Sequence, residues 1–396
     1  MSKAGNENID FSGVEQVAER YVAERKSAGM LTLVSRQGEV VHRHCAGHAD
    51  VEHAIALRED TIFRIYSMTK PLTSVALLQL IERGLCALDD AASRWIPALG
   101  ELEVHDEGPL QSDITIRQLL THTAGFSYGF EPDKYAVDKL YAEIWQQGIQ
   151  HRTLEDLMGS LLQLPLLAQP GTRWHYSIAT DVCGYLVERL TDMPFGDYLR
   201  SRIIEPLGMV DTDFEVSAER AARFATLYGP TEQNSLTPLE PPDRSPFVPS
   251  LSGVPVQLHS GGGGLVSTAP DYLRFAQMIL GGGELDGQRF LAAETVALMT
   301  QNHVDERLLP LTFNGIAPGE YRGYGFGLGY CVTIDTAATA AAGSRGDFGW
   351  GGMADTYCWI DPAEQLIGIL MQQHLPSLVH PGRKDFRDAV YAAISG

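Results

Sequence analysis

Apolar positions recur along this chain with two periods, and the switches between them mark out its elements. Leu72, Val75, Ala76, Leu77, Leu78, Leu80 and Ile81 are apolar almost all the way round a helical wheel, the pattern of a helix buried on every side. That helix starts near Tyr66 or Ser67, because Pro71 lacks an N–H and fits only a first turn, where backbone donors have no intrahelical partner. Further helices are predicted from Phe11 to Ala28, from Thr115 to Leu120, in the stretch running through Leu190, and from Phe386 to Ile394. Three strand-like runs lie near the C-terminus, Gly327 to Ile334, Thr356 to Ile360 and Leu366 to Met371. A hairpin turns at Gln37-Gly38. Between residues 230 and 258 lie Pro230, Pro238, Pro241, Pro242, Pro246, Pro249 and Pro255, which predict a long loop without regular structure. The glycine run Gly261 to Gly264 then leads into a helix capped by Thr268 with Asp271 three residues on.

The buried helix carries chemistry at its start. In Ser67-Met68-Thr69-Lys70 the hydroxyl and the amine are three residues apart, which stacks them on one helix face. Burial and the positive end of the helix dipole both disfavour an ammonium, so Lys70 is expected to titrate well below the usual value of about 10.4. A neutral lysine accepts a serine proton, the general form of an activated nucleophile. The second element is the loop Trp174-His175-Tyr176-Ser177-Ile178-Ala179-Thr180-Asp181, which follows the turn signal Gln169-Pro170-Gly171-Thr172. Beside a cationic lysine, the Tyr176 phenol is expected to fall below its usual value of about 10 and to serve as a general base. The third is Phe348-Gly349-Trp350-Gly351-Gly352-Met353, where consecutive glycines in a strand admit a close approach. The N–H groups of Met353 and Ser67 are then placed to hold an oxyanion.

With these three segments, and with Asp60-Thr61-Ile62-Phe63-Arg64-Ile65, Leu119-Leu120-Thr121-His122-Thr123-Ala124-Gly125, Glu205-Pro206-Leu207-Gly208-Met209 and Ala269-Pro270-Asp271 in order, the chain resembles the serine β-lactamase and penicillin-recognising superfamily, in the branch of class C β-lactamases and family VIII carboxylesterases. The resemblance implies an α+β fold of the class C β-lactamase type, an antiparallel sheet flanked by helices with an inserted, mainly helical domain. Residues 1–90 and 268–396 would form the sheet domain from both chain ends, and 91–267 the helical domain, with the proline-rich segment 230–258 as a loop over the cleft. The resemblance also implies that Ser67 is acylated, that Lys70 and Tyr176 share the base and acid roles, and that Ser67 and Met353 form the oxyanion hole.

Two departures point within the family. Lactamases and penicillin-binding relatives usually carry Lys-Thr-Gly where this chain has Trp350-Gly351-Gly352, and use that cation to hold a substrate carboxylate. The tyrosine loop usually reads Tyr-x-Asn, whereas Ile178 stands at the third place. With the strand cation and the amide both absent, a small neutral ester is the expected substrate and a carboxylesterase the expected enzyme. A β-lactamase, a D-amino-acid amidase or peptidase, an acyltransferase, and a sensor that acylates and stops are the alternatives.

Other motifs compete less well. Gly125-Phe126-Ser127-Tyr128-Gly129 spells Gly-x-Ser-x-Gly, but that motif works on a turn between a buried strand and a helix. Here it follows a short helix, so Ser127 is read as a loop residue, with Tyr128 and Phe130 lining the acyl or alcohol site. His122 is read as a ring that ties its loop. His42, His44, Cys45, His48 and His53 resemble a metal cluster on paper, yet His42 and His44 lie on a hairpin strand whose outer face needs no ligand, so no metal is expected. No Gly-Lys-Ser/Thr follows the glycine run, and no cofactor is expected.

Composition narrows the partners. A net charge of -20 with a pI near 4.9 opposes nucleic acid and anionic membranes. Cys45, Cys86, Cys183, Cys331 and Cys358 are odd in number and scattered, which argues against a disulfide framework. Met1 to Asp10 lacks the apolar core of a signal peptide, and no run reaches 18 apolar residues. The expectation is a cytoplasmic enzyme whose partner is a small-molecule ester, at a cleft between domains.

Overall fold

The computed structural model describes residues 9–146, 152–231, 236–239, 256–313 and 320–395. Its frame is one antiparallel sheet drawn from both ends of the chain: β1 (Gly29–Arg36), β2 (Glu39–Asp50), β3 (Ile55–Ala56), β4 (Tyr324–Phe326), β5 (Cys331–Thr333), β6 (Phe348–Gly351), β7 (Tyr357–Asp361) and β8 (Leu366–Met371). The spatial order is β4-β5-β6-β7-β8-β1-β2-β3, so the first and last strands of the chain meet in the middle. There Leu31 pairs with Met371 and Leu33 with Ile369.

Both faces of these central strands are covered, and their side chains divide with period two. Met30, Val34, Leu366 and Leu370 face one core with Trp359, beneath α1 (Ser12–Ala23) and the C-terminal helix. Leu31, Leu33, Ile367, Ile369 and Met371 face the larger core, which contains α2 (Lys70–Glu82). Gly368 is required in β8 because a Cβ there would lie 2.1 Å from the Trp359 ring.

Helix α2 is buried along nearly its whole length, as its apolar wheel predicts. It packs against α6 (Ala179–Thr191). On α6 pack α3 (Ile116–Leu120) and α5 (Leu154–Leu161), with α4 (Ala136–Gln146) against α5. Helix α3 is fixed by a reciprocal capping box between Thr115 and Gln118. Helix α7 (Ala269–Leu280) begins at Thr268, whose hydroxyl accepts from the Asp271 N–H; the Asp271 carboxylate instead takes the Asp211 amide and the Thr212 hydroxyl. The last helix, α8, spans Gly382–Ser395.

Several expected boundaries move. The N-terminal helix stops at Ala23 rather than Ala28, since Arg25 adopts φ 56° to turn the chain into β1. The C-terminal helix starts a turn earlier than Phe386, just after Pro381. The run from Gly327 to Ile334 is not one strand: Gly327 to Tyr330 makes the turn between β4 and β5, with Gly329 at φ 98°, a conformation open to glycine. The proline-rich segment is not wholly irregular either. Leu236–Pro238 pairs with Tyr228–Pro230, with the prolines at ribbon ends where a missing N–H is tolerated. Most of the expected cleft loop, at 232–235 and 240–255, lies outside the described residues.

Candidate active site

The first turn containing Ser67 is a 3-10 turn, Tyr66–Thr69, and the α-helix proper begins only at Lys70. In that tighter turn residues three apart eclipse, which brings Lys70 Nζ to 3.3 Å from Ser67 Oγ. Tyr66, just before the serine, is held at φ 43°, a strained value for an aromatic residue of the kind that persists where the surroundings enforce it. Tyr176 Oη donates to Ser67 Oγ at 2.7 Å. The three residues singled out from the sequence therefore meet at one oxygen.

Lys70 is fully buried. Its Nζ also lies 2.6 Å from the Gly262 carbonyl and 2.9 Å from Tyr128 Oη. Burial draws its pKa down to about 7, against the raising influence of Asp181. The expectation for Tyr176 is overturned. Its phenol is raised above the usual value, because burial outweighs the hydrogen bond to Ser67 and the neighbouring Trp350. Lys70 Nζ sits 4.6 Å from the Tyr176 ring centroid. Tyr176 is therefore a hydroxyl donor in the resting site.

The glycine run Gly261 to Gly264 forms a turn that passes close behind the lysine, as its composition predicts. A Cβ on Gly262 would lie 2.3 Å from Asp181 Oδ2 and 2.7 Å from Tyr128 Oη, and one on Gly261 would lie 2.7 Å from the Thr180 carbonyl. Across the cleft, β6 ends over the serine turn: a Cβ on Gly352 would meet the Ile65 carbonyl at 2.3 Å. Gly352 donates its N–H to the Thr356 carbonyl at 2.8 Å, and among the described residues no turn or loop carbonyl accepts the N–H of Met353 or Ser67. Trp350 packs its ring 5.4 Å from Tyr176 and 5.5 Å from Phe313. A cavity of about 530 Å³ opens from Ser67, with Tyr128, Tyr176, Phe313, Tyr321 and Trp350 among the residues in its wall. Gly351 and Gly352 also line it.

Sequence reading, which placed Tyr128 in the wall of the site, missed one contact and two residues. Tyr128 touches Lys70 besides lining the cavity. Asp181, five residues beyond Tyr176, resembles an ordinary acid in the first turn of α6, yet it is fully buried. Thirdly, a cation does stand at the β6 edge, although none is on the strand. Arg383, from α8, donates to the Gly352 carbonyl at 2.5 Å and pairs with Asp355 at 3.3 Å. Its distance in sequence hid it.

The competing residues have other work. Ser127 is buried, donates to Asp138 Oδ1 at 2.6 Å and lies 3.2 Å from His175 Nε2. A serine bound directly to a carboxylate does not reproduce the serine-histidine-carboxylate order of a triad. His122, at φ 56°, accepts the Ser177 amide on Nδ1 at 3.3 Å and packs edge-on to Tyr176 at 4.8 Å. Burial lowers its pKa well below the usual value, so it is a neutral brace for the tyrosine loop. His42 is not on a solvent face: it is buried under α1 against Phe11 and bonded to Thr32 Oγ1 at 2.9 Å. His44 contacts Glu19 instead. Among the described residues no group of three or more histidine, cysteine or acidic side chains is arranged to hold a metal, and no helix is long and apolar enough to cross a membrane. All five cysteines are free.

Comparison with known proteins agrees over nearly the whole chain. The Beta-lactamase family model matches residues 14–393. Esterase EstB of Burkholderia gladioli is 33% identical over 96% of this chain and 94% of its own. Monacolin J acid methylbutanoyltransferase of Aspergillus terreus is 29% identical over 85% of this chain and 83% of its own. Among solved structures, EstCE1, a hydrolase with promiscuous acyltransferase activity, superposes with a TM-score of 0.81 at 28% identity, covering 96% of this chain and 98% of that one.

Proposed function

The chain belongs to the β-lactamase family as an enzyme of the serine hydrolase type, and from that premise we propose that it is a carboxylesterase cleaving small, neutral esters through an acyl-Ser67 intermediate. The observation that carries this reading is the meeting of Tyr176 Oη and Lys70 Nζ on Ser67 Oγ, at 2.7 and 3.3 Å, at the mouth of an aromatic-walled cavity.

The contacts suit a neutral amine. Two N–H groups of Lys70 point to the Gly262 carbonyl and Tyr128 Oη, leaving its lone pair for the Ser67 proton, while Tyr176 donates to the same oxygen. As Ser67 Oγ bonds to the ester carbonyl carbon, its proton passes to Lys70. The oxyanion forms against the Ser67 and Met353 N–H groups. Collapse breaks the bond to the alcohol, which leaves with a proton delivered through Tyr176, and water then repeats the sequence to free the acid. Trp350 at the lysine position of lactamases, Ile178 at the amide position, and the pairing of Arg383 with Asp355 all favour a neutral substrate over a carboxylate. The name of the EstB relative points the same way.

The names of the methylbutanoyltransferase and of the promiscuous hydrolase support a second reading in which an alcohol, rather than water, receives the acyl group. One experiment separates these readings. Hydrolysis of p-nitrophenyl acetate, butyrate and octanoate is measured beside a chromogenic cephalosporin, with and without an alcohol acceptor, for the wild type, Ser67→Ala and Ser127→Ala. The proposal expects ester turnover that exceeds lactam turnover, persists in Ser127→Ala and vanishes in Ser67→Ala. Transfer product dominating over free acid would select the transferase, and dominant lactam turnover would overturn the esterase.

A further inference from the structure

The carboxylate of Asp181 has no part in the chemistry described so far, and its surroundings are unusual. It is fully buried. Its Oδ1 accepts the Ser260 hydroxyl at 2.5 Å and the Gly262 N–H at 3.1 Å. Its Oδ2 has no hydrogen-bond partner among the described residues, although an unpaired buried carboxylate oxygen is costly. That oxygen faces the Cα of Gly262, at the spot where a methyl group would be 2.3 Å from it and 2.7 Å from Tyr128 Oη. The same glycine presents its carbonyl to Lys70 at 2.6 Å. Gly262 thus separates a buried carboxylate from a buried amine, and the absence of a side chain keeps them close.

We propose that Asp181 is a positioning residue of this site, the counter-charge for the ammonium that forms when Lys70 takes the Ser67 proton, acting across Gly262 and fixing the glycine turn whose carbonyl receives that ammonium. The inference rests on the acyl-enzyme reading only in taking Ser67 as the nucleophile and Lys70 as its base. The balance is simple: one proton leaves Oγ for Nζ, and Asp181 neither gains nor loses one. Burying an ammonium alone is expensive, whereas a nearby carboxylate in the same low-dielectric region offsets much of that cost. The charged and titratable groups around Lys70 are Tyr176 from the loop before α6, Tyr128 and His122 from the segment after α3, and Asp181 from α6 itself. The two phenols are raised and the imidazole lowered by burial, so all three are neutral near pH 7. Asp181 acts on Lys70 in the direction that favours its charged form. Burial raises the Asp181 carboxyl above the usual carboxylate range, and the Ser260 hydroxyl, the Lys70 charge and the Gly262 N–H act in the opposite direction, toward the ionised form.

The test follows the labelling of Ser67 by a fluorophosphonate as a function of pH, a readout that needs an activated serine but no ester turnover. An inactive esterase that still labels would therefore count against the proposed activity and not against this inference. Asp181→Asn keeps an oxygen for Ser260 and Gly262 while removing the charge. Its acid limb should move to lower pH by about one unit, the usual size of a neighbouring charge's effect, and labelling at pH 8 should slow about tenfold or more. A folded variant whose acid limb coincides with that of the wild type would overturn the proposal, since a purely structural aspartate changes yield or melting temperature and leaves the limb in place. If Asp181→Asn alone does not fold, the decision passes to Lys70→Met with and without Asp181→Asn. The double variant melting above the Lys70→Met single is what a stranded counter-charge requires, and its melting no higher would sink the idea.

Discussion

In the proposed mechanism Lys70 sets the conditions under which the site works, because only its neutral form has a lone pair for the Ser67 proton. With burial bringing its pKa to about 7, the neutral fraction rises through that region as pH increases. We expect kcat/KM for a neutral ester to fall about tenfold per pH unit below the limb and to level off above it, which a pH profile over 5 to 9 checks. A rate still rising about tenfold per unit at pH 9 would mean that burial leaves the lysine unshifted. Tyr176 plays a different part. Its raised phenol is a donor, so Tyr176→Phe should lower kcat by roughly 10²-fold or more, within the range of lost acid-base assistance, with KM little altered. Steady-state kinetics on p-nitrophenyl butyrate would show the split, and a loss confined to KM would make Tyr176 only a wall of the cavity.

The site depends on three elements meeting with almost no tolerance, and β6 shows how. A Cβ on Gly352 would press on both the Ile65 carbonyl and Thr356 Oγ1 at 2.3 Å, so Gly352→Ala must push the strand away from the serine turn. Displacements near 1 Å at a reacting centre cost about 10²-fold in rate. We expect that loss in kcat, measured beside a melting curve that shows the variant folded; unaltered kcat would mean that Met353 supplies no oxyanion donor. On the same sheet, Arg387 of α8 pairs with the buried Asp347 at 2.5 Å. Removing one member of a buried pair strands the other, so Arg387→Ala should cost about 3 to 5 kcal/mol, as denaturant unfolding would report. These elements also show what the sequence makes legible. The apolar wheel of α2, the short helix after Thr115, the Thr268 cap and the run Leu366–Met371 are local patterns, and each is found where the residues predict it. The motifs around Ser67, Tyr176 and Trp350 are likewise local, and folding brings them together. The raised Tyr176 phenol, the Tyr128 contact and the arrival of Arg383 beside Gly352 depend on burial and on pairings across tens to hundreds of residues. No spacing rule contains them.

At the scale of the whole molecule the dominant quantity is charge. A chain with a net charge of -20 repels anions at long range, over a distance screened to about 10 Å at 0.1 M salt. Neutral esters do not feel it. An ester bearing a carboxylate is repelled by that net charge on approach, while the cavity wall itself carries Arg322, Arg383, Lys384 and Arg387, of which Arg383 is engaged by Asp355 and Arg387 by Asp347. Salt therefore discriminates between substrate classes in a way that no single side chain does. Raising ionic strength from about 10 mM to about 300 mM should leave kcat/KM for p-nitrophenyl butyrate within about twofold, while that for a hemisuccinate ester of the same phenol should rise several-fold as the field is screened. The comparison is internal, since both esters share a leaving group and the same serine. A hemisuccinate rate that instead falls with salt would mean that the cleft attracts anions despite the acidic surface. Arg383 would then be a substrate-binding cation, and the preference for neutral esters argued from Trp350 and Ile178 would have to be abandoned.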